Sequence, residues 1–128
     1  MRYLLDTHSL IWFIVGDLQL SDRARQLRDD DNNELFLSIA SLWEMAIKYS
    51  IGKLRLTQPF EKLFPAQLDT NDIGVLSITV DHLKAVCYLP LHHRDPFDRL
   101  IVAQAQVEHL PVISADTILD SYGVQRVW

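Results

Sequence analysis

Short apolar segments alternate along this chain with longer segments of helical periodicity, and this alternation restricts the possible folds more than any other feature. Strands are predicted at residues 3–5, 35–37, 73–78 and 111–114, and residues 125–128 have the pattern of a fifth. Apolar strands connected through helices form parallel sheets, because the helices then cover both faces. The sequence therefore predicts an α/β fold with a central parallel sheet.

The segments between the strands carry helix signals. Apolar spacing, capping residues, Pro and Gly predict helices at residues 10–15, after Ser21, from Ser38 or Ser41 to about 51, from Pro59 through 68, at 80–88 and from Asp95 onward. No repeat or linker interrupts the chain. Its 128 residues, 48% of them apolar, suit one domain over residues 1–128 with a hydrophobic core.

Charge and cysteine content narrow the class further. The net charge of −5 disfavours a broadly basic nucleic-acid-binding surface, although residues 45–60 contain three basic residues and no acid. The single Cys87 excludes an intrachain disulfide and is interpreted as a small core residue. The longest apolar run, residues 10–15, is too short to span a bilayer, and no secretory signal precedes the first strand. We expect a cytoplasmic protein with no membrane partner.

Four carboxylates from separate segments are predicted to meet at one edge of the sheet. Asp6 ends the first strand and Asp116 follows the fourth, so both lie at the carboxyl ends of parallel strands. Asp98 lies in the first turn of a helix that leads into a strand, and Glu44 lies early in the helix after the second strand. Because helices between parallel strands begin at the carboxyl ends of the strands, Asp98 and Glu44 are predicted at the same edge as Asp6 and Asp116.

Crowded carboxylates repel one another, and a divalent cation removes this cost. Mg²⁺ and Mn²⁺ prefer oxygen ligands, and no His or Cys cluster has the spacing of a zinc site. A metal site of this kind suits phosphodiester hydrolysis, because a bound ion activates water and a second ion can stabilise the leaving oxygen. The sequence therefore predicts a metal-dependent nuclease.

Each acid also has a structural interpretation. The acids that follow the first and fourth strands could simply cap the next helix, and Ser41 with Glu44 matches a capping box. Asp95, which precedes a proline, fits an N-cap, while Asp98 suits the positive end of the same helix. We therefore assign capping to Asp95 and the metal to Asp98.

Several neighbours of these acids are further candidates. Thr7 and Ser114 could hydrogen-bond a ligating carboxylate, with helix capping and strand filling as their ordinary roles. Arg99 could contact a phosphate or pair with a surface acid. His92 and His93 are interpreted as solvated loop residues and are not assigned to catalysis.

Four short motifs resemble those of PIN-domain nucleases and occur in the same order. They are residues 4–8 (LLDTH), 41–48 (SLWEMAIK), 93–100 (HRDPFDRL) and 114–116 (SAD). The similarity covers nearly the whole chain and is strongest to the VapC-type toxins of bacterial toxin–antitoxin pairs. The DPFDR stretch is fairly specific, and the other motifs gain weight in combination.

The resemblance implies a three-layer α/β/α fold and RNA cleavage dependent on Mg²⁺ or Mn²⁺. It also implies a homodimer and an antitoxin partner that blocks the active site. Thr117 stands where a basic residue is frequent in the family, and residues 10–15 are either buried or form a surface for an antitoxin segment. The family's acidic positions, of which the last is the least uniform, fall on Asp6, Glu44, Asp98 and Asp116.

Other classes of protein share parts of this pattern. A phosphoacceptor signalling domain needs paired acids after the first strand and an acceptor Asp after the third, but Asp6 stands alone and residues 77–79 contain no acid. A haloacid-dehalogenase-like phosphatase needs an Asp at the position of His8. A non-catalytic α/β binding module, whose acids only cap helices, remains the alternative to the nuclease.

Overall fold

A five-stranded sheet with helices on both faces organises the computed structural model, which describes residues 1–128. Every strand pairing is parallel, in the order β3-β2-β1-β4-β5, so the α/β fold with a central parallel sheet is confirmed. No helix has both the length and the apolar character needed to cross a membrane. The elements in chain order are β1 (Arg2–Leu5), α1 (Thr7–Val15), α2 (Asp22–Asp29), β2 (Glu34–Ser38), α3 (Ile39–Ser50), α4 (Phe60–Leu63), α5 (Ala66–Thr70), β3 (Ile73–Leu76), α6 (Val80–Tyr88), α7 (Pro96–Glu108), β4 (Val112–Ile113), a 3-10 helix (Thr117–Tyr122) and β5 (Arg126–Val127).

The central strand β1 contributes to the core on both faces of the sheet. Successive side chains of a strand point to opposite faces. Tyr3 and Leu5 accordingly pack in a large apolar cluster with residues of α1 to α5, whereas Leu4 packs in a smaller cluster with residues of α7 and the 3-10 helix. This double burial explains why β1 is apolar without alternation.

The direction of strand addition reverses beside β1. The chain adds β2 and β3 on one side of β1 and then crosses over to add β4 and β5 on the other side. In parallel α/β sheets, ligands bind at the carboxyl ends of the strands where this reversal occurs. The candidate site is therefore expected between the ends of β1 and β4.

One helix prediction is wrong. Residues 59–68 were expected to form a single helix, but they form the two short helices α4 and α5. Pro65 lies between them, and because a proline has no N–H and restricts the residue before it, it cannot continue α4.

The predicted core position of Cys87 is also wrong, because this side chain is exposed. Helix α6 buries His82 instead, whose ring is hydrogen-bonded at both nitrogens, to the Thr79 N–H and to the Glu108 carboxylate. Burial of a polar ring costs little when both nitrogens have partners. Val80, Leu83 and Cys87 consequently form an apolar stripe on the outer face of α6.

Residues 10–15 were expected to be either buried or exposed as a binding surface, and the helix contains side chains of both kinds. Leu10 and Phe13 are buried in the larger core cluster, and Trp12 is half-buried against it. Val15, by contrast, is 61% exposed at the end of α1. The high apolar content of this helix is explained mainly by core packing.

Candidate active site

Asp6 lies at the carboxyl end of β1 and caps α1. Its extended backbone lets one carboxylate oxygen, Oδ1, accept the Ser9 N–H at 2.9 Å. The other oxygen, Oδ2, accepts a hydrogen bond from the Ser114 hydroxyl, which comes from the end of β4. As a whole residue, Asp6 is only 7% exposed. Asp6 is thus both a cap and a group held between the two central strands.

Glu44 is not part of a capping box. Helix α3 begins after Ser38, whose side chain is the N-cap, so Glu44 lies in the second turn and faces inward. Its Oε1 accepts from the Thr7 hydroxyl at 2.8 Å, and Thr7 also lies 2.9 Å from the Ser41 hydroxyl. Because one hydroxyl has one proton, Ser41 donates to Thr7 when Thr7 donates to Glu44. The capping-box interpretation of Glu44 is therefore wrong.

Asp98 lies in the first turn of α7, where its environment disfavours the charged form. Burial is the main cause that raises its pKa from 3.8 to about 7, and the neighbouring charges of Asp95, Asp6, Glu44 and Asp116 raise it further. The charges of these neighbours affect Asp98 because they lie close to it, and three of the neighbours, Asp6, Glu44 and Asp116, are the other acids predicted from the sequence. The structure therefore brings the four acids predicted from the sequence into one electrostatic neighbourhood.

Asp116 is the most exposed of the four acids and has a second role. It caps the 3-10 helix by accepting the Ile118 N–H at 3.1 Å, and its own N–H donates to the Ser114 hydroxyl at 3.0 Å. A cleft of about 320 Å³ is lined by Asp6, His8, Trp12, Ala115 and Asp116. Asp6 and Asp116 thus face a common space large enough for part of a ligand.

The carboxylates surround this region without forming a closed cage. No three His, Cys, Asp or Glu side chains are arranged as direct ligands of one ion. Mg²⁺ commonly binds through one or two carboxylates and keeps several waters, so it does not need such a cage. The donors are hard carboxylate oxygens, and their charges add to the effect of burial in raising the pKa of Asp98. The donor set therefore fits Mg²⁺ or Mn²⁺ better than zinc.

Asp95 is the N-cap of α7, as predicted. Its Oδ1 accepts from the Phe97 and Asp98 N–H groups at 2.9 and 3.1 Å. We expect Asp95→Ala to be less stable than Asp95→Asn by about 1 kcal/mol, because both variants lose the charge but only Asn keeps the acceptor. Urea unfolding of the two variants measures the difference. Equal free energies of unfolding would show that the cap contributes nothing.

Arg99 does not form the predicted ion pair with a surface acid. Its guanidinium donates to the backbone carbonyls of Pro90 and Leu89 at 2.9 and 3.4 Å and lies 3.4 Å from the Tyr122 hydroxyl. These contacts hold the loop before α7. The loop before α7 therefore owes part of its order to Arg99.

His93 contacts the site, contrary to its interpretation as a solvated residue. The Tyr122 hydroxyl accepts hydrogen bonds from the backbone N–H of His93 and from the guanidinium of Arg99. The same hydroxyl oxygen lies 2.6 Å from the ring nitrogen Nδ1 of His93. In the tautomer in which the Tyr122 hydroxyl donates to Nδ1, the ring hydrogen is on Nε2. Nε2 is buried 3.6 Å from Asp98 Oδ2. The tertiary contact with Tyr122, which the sequence does not show, orients this ring.

The chain belongs to the PIN domain family, whose match covers residues 3–125. The resemblance predicted from the four motifs is thereby confirmed. Ribonuclease VapC16 of Mycobacterium tuberculosis (strain ATCC 25618 / H37Rv) is 34% identical over 61 residues, which are 48% of this chain and 42% of that protein. The match thus spans less than half the length of that relative.

Solved structures with a similar fold include a toxin–antitoxin complex from Klebsiella pneumoniae, with a TM-score of 0.58 at 19% identity over 90% of this chain and 87% of the other. The structure of VapBC2 from Rickettsia felis bound to a DNA fragment from their promoter contains a chain with a TM-score of 0.73 at 15% identity, over 99% of this chain and 98% of the other. For VapBC-1 from nontypeable Haemophilus influenzae, the TM-score is 0.69 at 19% identity, with 99% and 97% covered. These likenesses confirm the three-layer PIN-like fold.

Proposed function

We propose that residues 1–128 form a single nuclease domain that cleaves RNA with the help of Mg²⁺ or Mn²⁺. The observation that carries this proposal is the meeting of Asp6, Glu44, Asp98 and Asp116 near the switch point of the sheet, where burial and, after it, the repulsion of the neighbouring acids raise the pKa of Asp98 to about 7. A fold does not need this repulsion for its own stability, and strongly perturbed carboxyls are typical of functional sites.

We assign metal binding and catalysis to these four acids. When bound, a divalent ion supplies Lewis-acid polarisation of the phosphodiester and lowers the pKa of a water. Ser114 fixes one oxygen of Asp6, and Thr7 fixes one oxygen of Glu44, so both carboxylates are oriented before any ion binds. The exposed Asp116 and the open cleft beside it leave room for the RNA backbone.

The similarity to a protein named as a ribonuclease supports RNA as the substrate. The structure disfavours the phosphoacceptor alternative, because β3 is an edge strand and its end lies away from β1. In a non-catalytic binding module, the acids would only cap helices. Glu44 caps no helix, because Ser38 is the N-cap of α3.

We propose further that the protein is the toxin of a toxin–antitoxin pair in the cytoplasm. An apolar groove of about 410 Å³ beside Trp43, Leu42 and Phe60 suits an amphipathic antitoxin segment, and one of the similar solved structures is a toxin–antitoxin complex. The apolar stripe on the outer face of α6 offers a surface for a homodimer.

Cleavage of a labelled single-stranded RNA tests the proposed function. We expect the wild type to cleave the RNA with Mn²⁺ or Mg²⁺, and we expect excess chelator to abolish cleavage until the metal is restored. Wild-type cleavage that continues unchanged in chelator would exclude a metal-dependent mechanism. Absence of cleavage under every metal condition would favour the non-catalytic binding module.

A further inference from the structure

Both carboxylate oxygens of Glu44 already have partners within the protein. Oε1 accepts from Thr7, and Oε2 accepts from the ammonium group of Lys48 at 2.7 Å. Glu44 and Lys48 are four residues apart on α3, so their side chains lie on the same face of the helix. The Glu44 side chain is 7% exposed, whereas that of Lys48 is 43% exposed. The pair therefore connects the buried carboxylate cluster with the surface.

Lys48 is the only Lys or Arg that forms an ion pair with one of the four acids. Arg99 donates to backbone carbonyls of the loop before α7, and Arg126 pairs with Asp120. Carboxylates other than Glu44 also act on the ammonium group of Lys48. The hydrogen bond to Glu44 is the main cause of the raised pKa of Lys48, and the charges of Asp95 and Asp98 add to it.

We infer that Lys48 is the counter-ion of the carboxylate cluster in the metal-free protein and turns to a phosphate of the RNA when a divalent ion takes its place. This inference rests on the proposed function. An ammonium and a metal ion compete for the same negative charge, because each offsets the repulsion among the acids. The half-exposed ammonium on its flexible stem can leave Glu44 without disturbing the core, and it then lies at the edge of the site.

Metal affinity tests the first half of the inference without using activity. We expect Lys48→Met to bind Mn²⁺ roughly three- to tenfold more tightly than the wild type, because removing a nearby positive charge favours a doubly charged ion. Lys48→Arg keeps the charge and should stay within about twofold of the wild type. Lys53→Met, which removes the same charge from an exposed position nearby, is the matched control and should show no change. Calorimetric titration of Mn²⁺ in the absence of RNA gives all four affinities.

RNA cleavage at saturating Mn²⁺ tests the second half. We expect Lys48→Met to raise the KM for RNA and to lower kcat/KM roughly tenfold despite its tighter metal binding, with activity largely restored in Lys48→Arg. Loss of one phosphate contact should also reduce the dependence of log KM on log salt by about 0.7 for a single strand. A residue that only stabilises α3 would change neither metal affinity nor the salt dependence.

The outcomes separate this inference from the proposed function. Unchanged or weaker Mn²⁺ binding by Lys48→Met overturns the counter-ion role, whether or not the protein cleaves RNA. Unchanged KM and salt dependence in Lys48→Met overturn the phosphate contact. Failure of the wild type to cleave any RNA overturns the proposed function and the phosphate contact with it, while the metal titration still decides the counter-ion role.

Discussion

Replacing Asp6 with Asn is expected to lower kcat/KM for RNA cleavage by at least about 100-fold, with the fold retained. Loss of a residue that only supports a metal ligand commonly costs up to about 100-fold, and loss of a ligand costs at least as much. The fold survives because Asn caps helices as well as Asp does, so the contact with the Ser9 N–H is preserved. Initial cleavage rates at several Mn²⁺ concentrations, with thermal unfolding of the same samples, measure both effects.

Asp31→Asn is the matched control for this variant. Asp31 is exposed and precedes β2, so it lies at the opposite edge of the sheet from the site. The Asp31→Asn variant should cleave RNA at the wild-type rate. If Asp6→Asn keeps more than about a tenth of the wild-type kcat/KM, Asp6 is only a helix cap and not part of the catalytic centre.

Replacing Asp98 with Asn is expected to stabilise the metal-free protein at pH 8. The pKa of Asp98 is about 7 in the folded protein and near 3.8 when unfolded, so the folded state binds the proton more tightly. Protonation of Asp98 therefore stabilises the fold fully below about pH 4, and this stabilisation is lost as the pH rises through 7. Asn resembles the protonated acid at every pH. The gain at pH 8 is at most about 4 kcal/mol, and we expect about 1 to 3 kcal/mol because the side chain is 29% exposed.

Urea unfolding of wild type and Asp98→Asn at pH 8, 5.5 and 4 measures this effect. The stability difference should shrink by up to about half at pH 5.5 and fall below about 1 kcal/mol near pH 4. Saturating Mn²⁺ at pH 8 should reverse the order, because the ion stabilises the wild type by mass action and loses a ligand in the variant. A variant that is less stable than the metal-free wild type at pH 8 would show that Asp98 stabilises the fold through contacts of its carboxylate.

The sequence was sufficient to place the acids at one edge because of a rule about parallel sheets. Asp6 directly follows β1 and Asp116 comes shortly after β4, and the carboxyl ends of parallel strands meet at one edge. The Asp95-Pro96 pair likewise marked the start of α7 correctly. These predictions succeed because they depend on backbone direction and local capping, which are local properties of a sequence.

Predictions that depended on contacts distant along the chain were wrong. Cys87 was placed in the core because the sequence does not show that α6 buries His82 against Glu108. His93 was taken as solvated because Tyr122, which orients its ring, lies 29 residues away. Lys48 is different, since its spacing of four residues from Glu44 is a local signal that could have revealed the ion pair.

Anomalous diffraction from a crystal of the wild type soaked in Mn²⁺ tests the central claim most directly. We predict a manganese peak within coordination distance of Asp6 or Asp98, beside the cleft between β1 and β4, and no such peak in Asp98→Asn at the same concentration. The claim is contradicted if the wild-type crystal, with this region free of lattice contacts, shows no manganese among the four carboxylates.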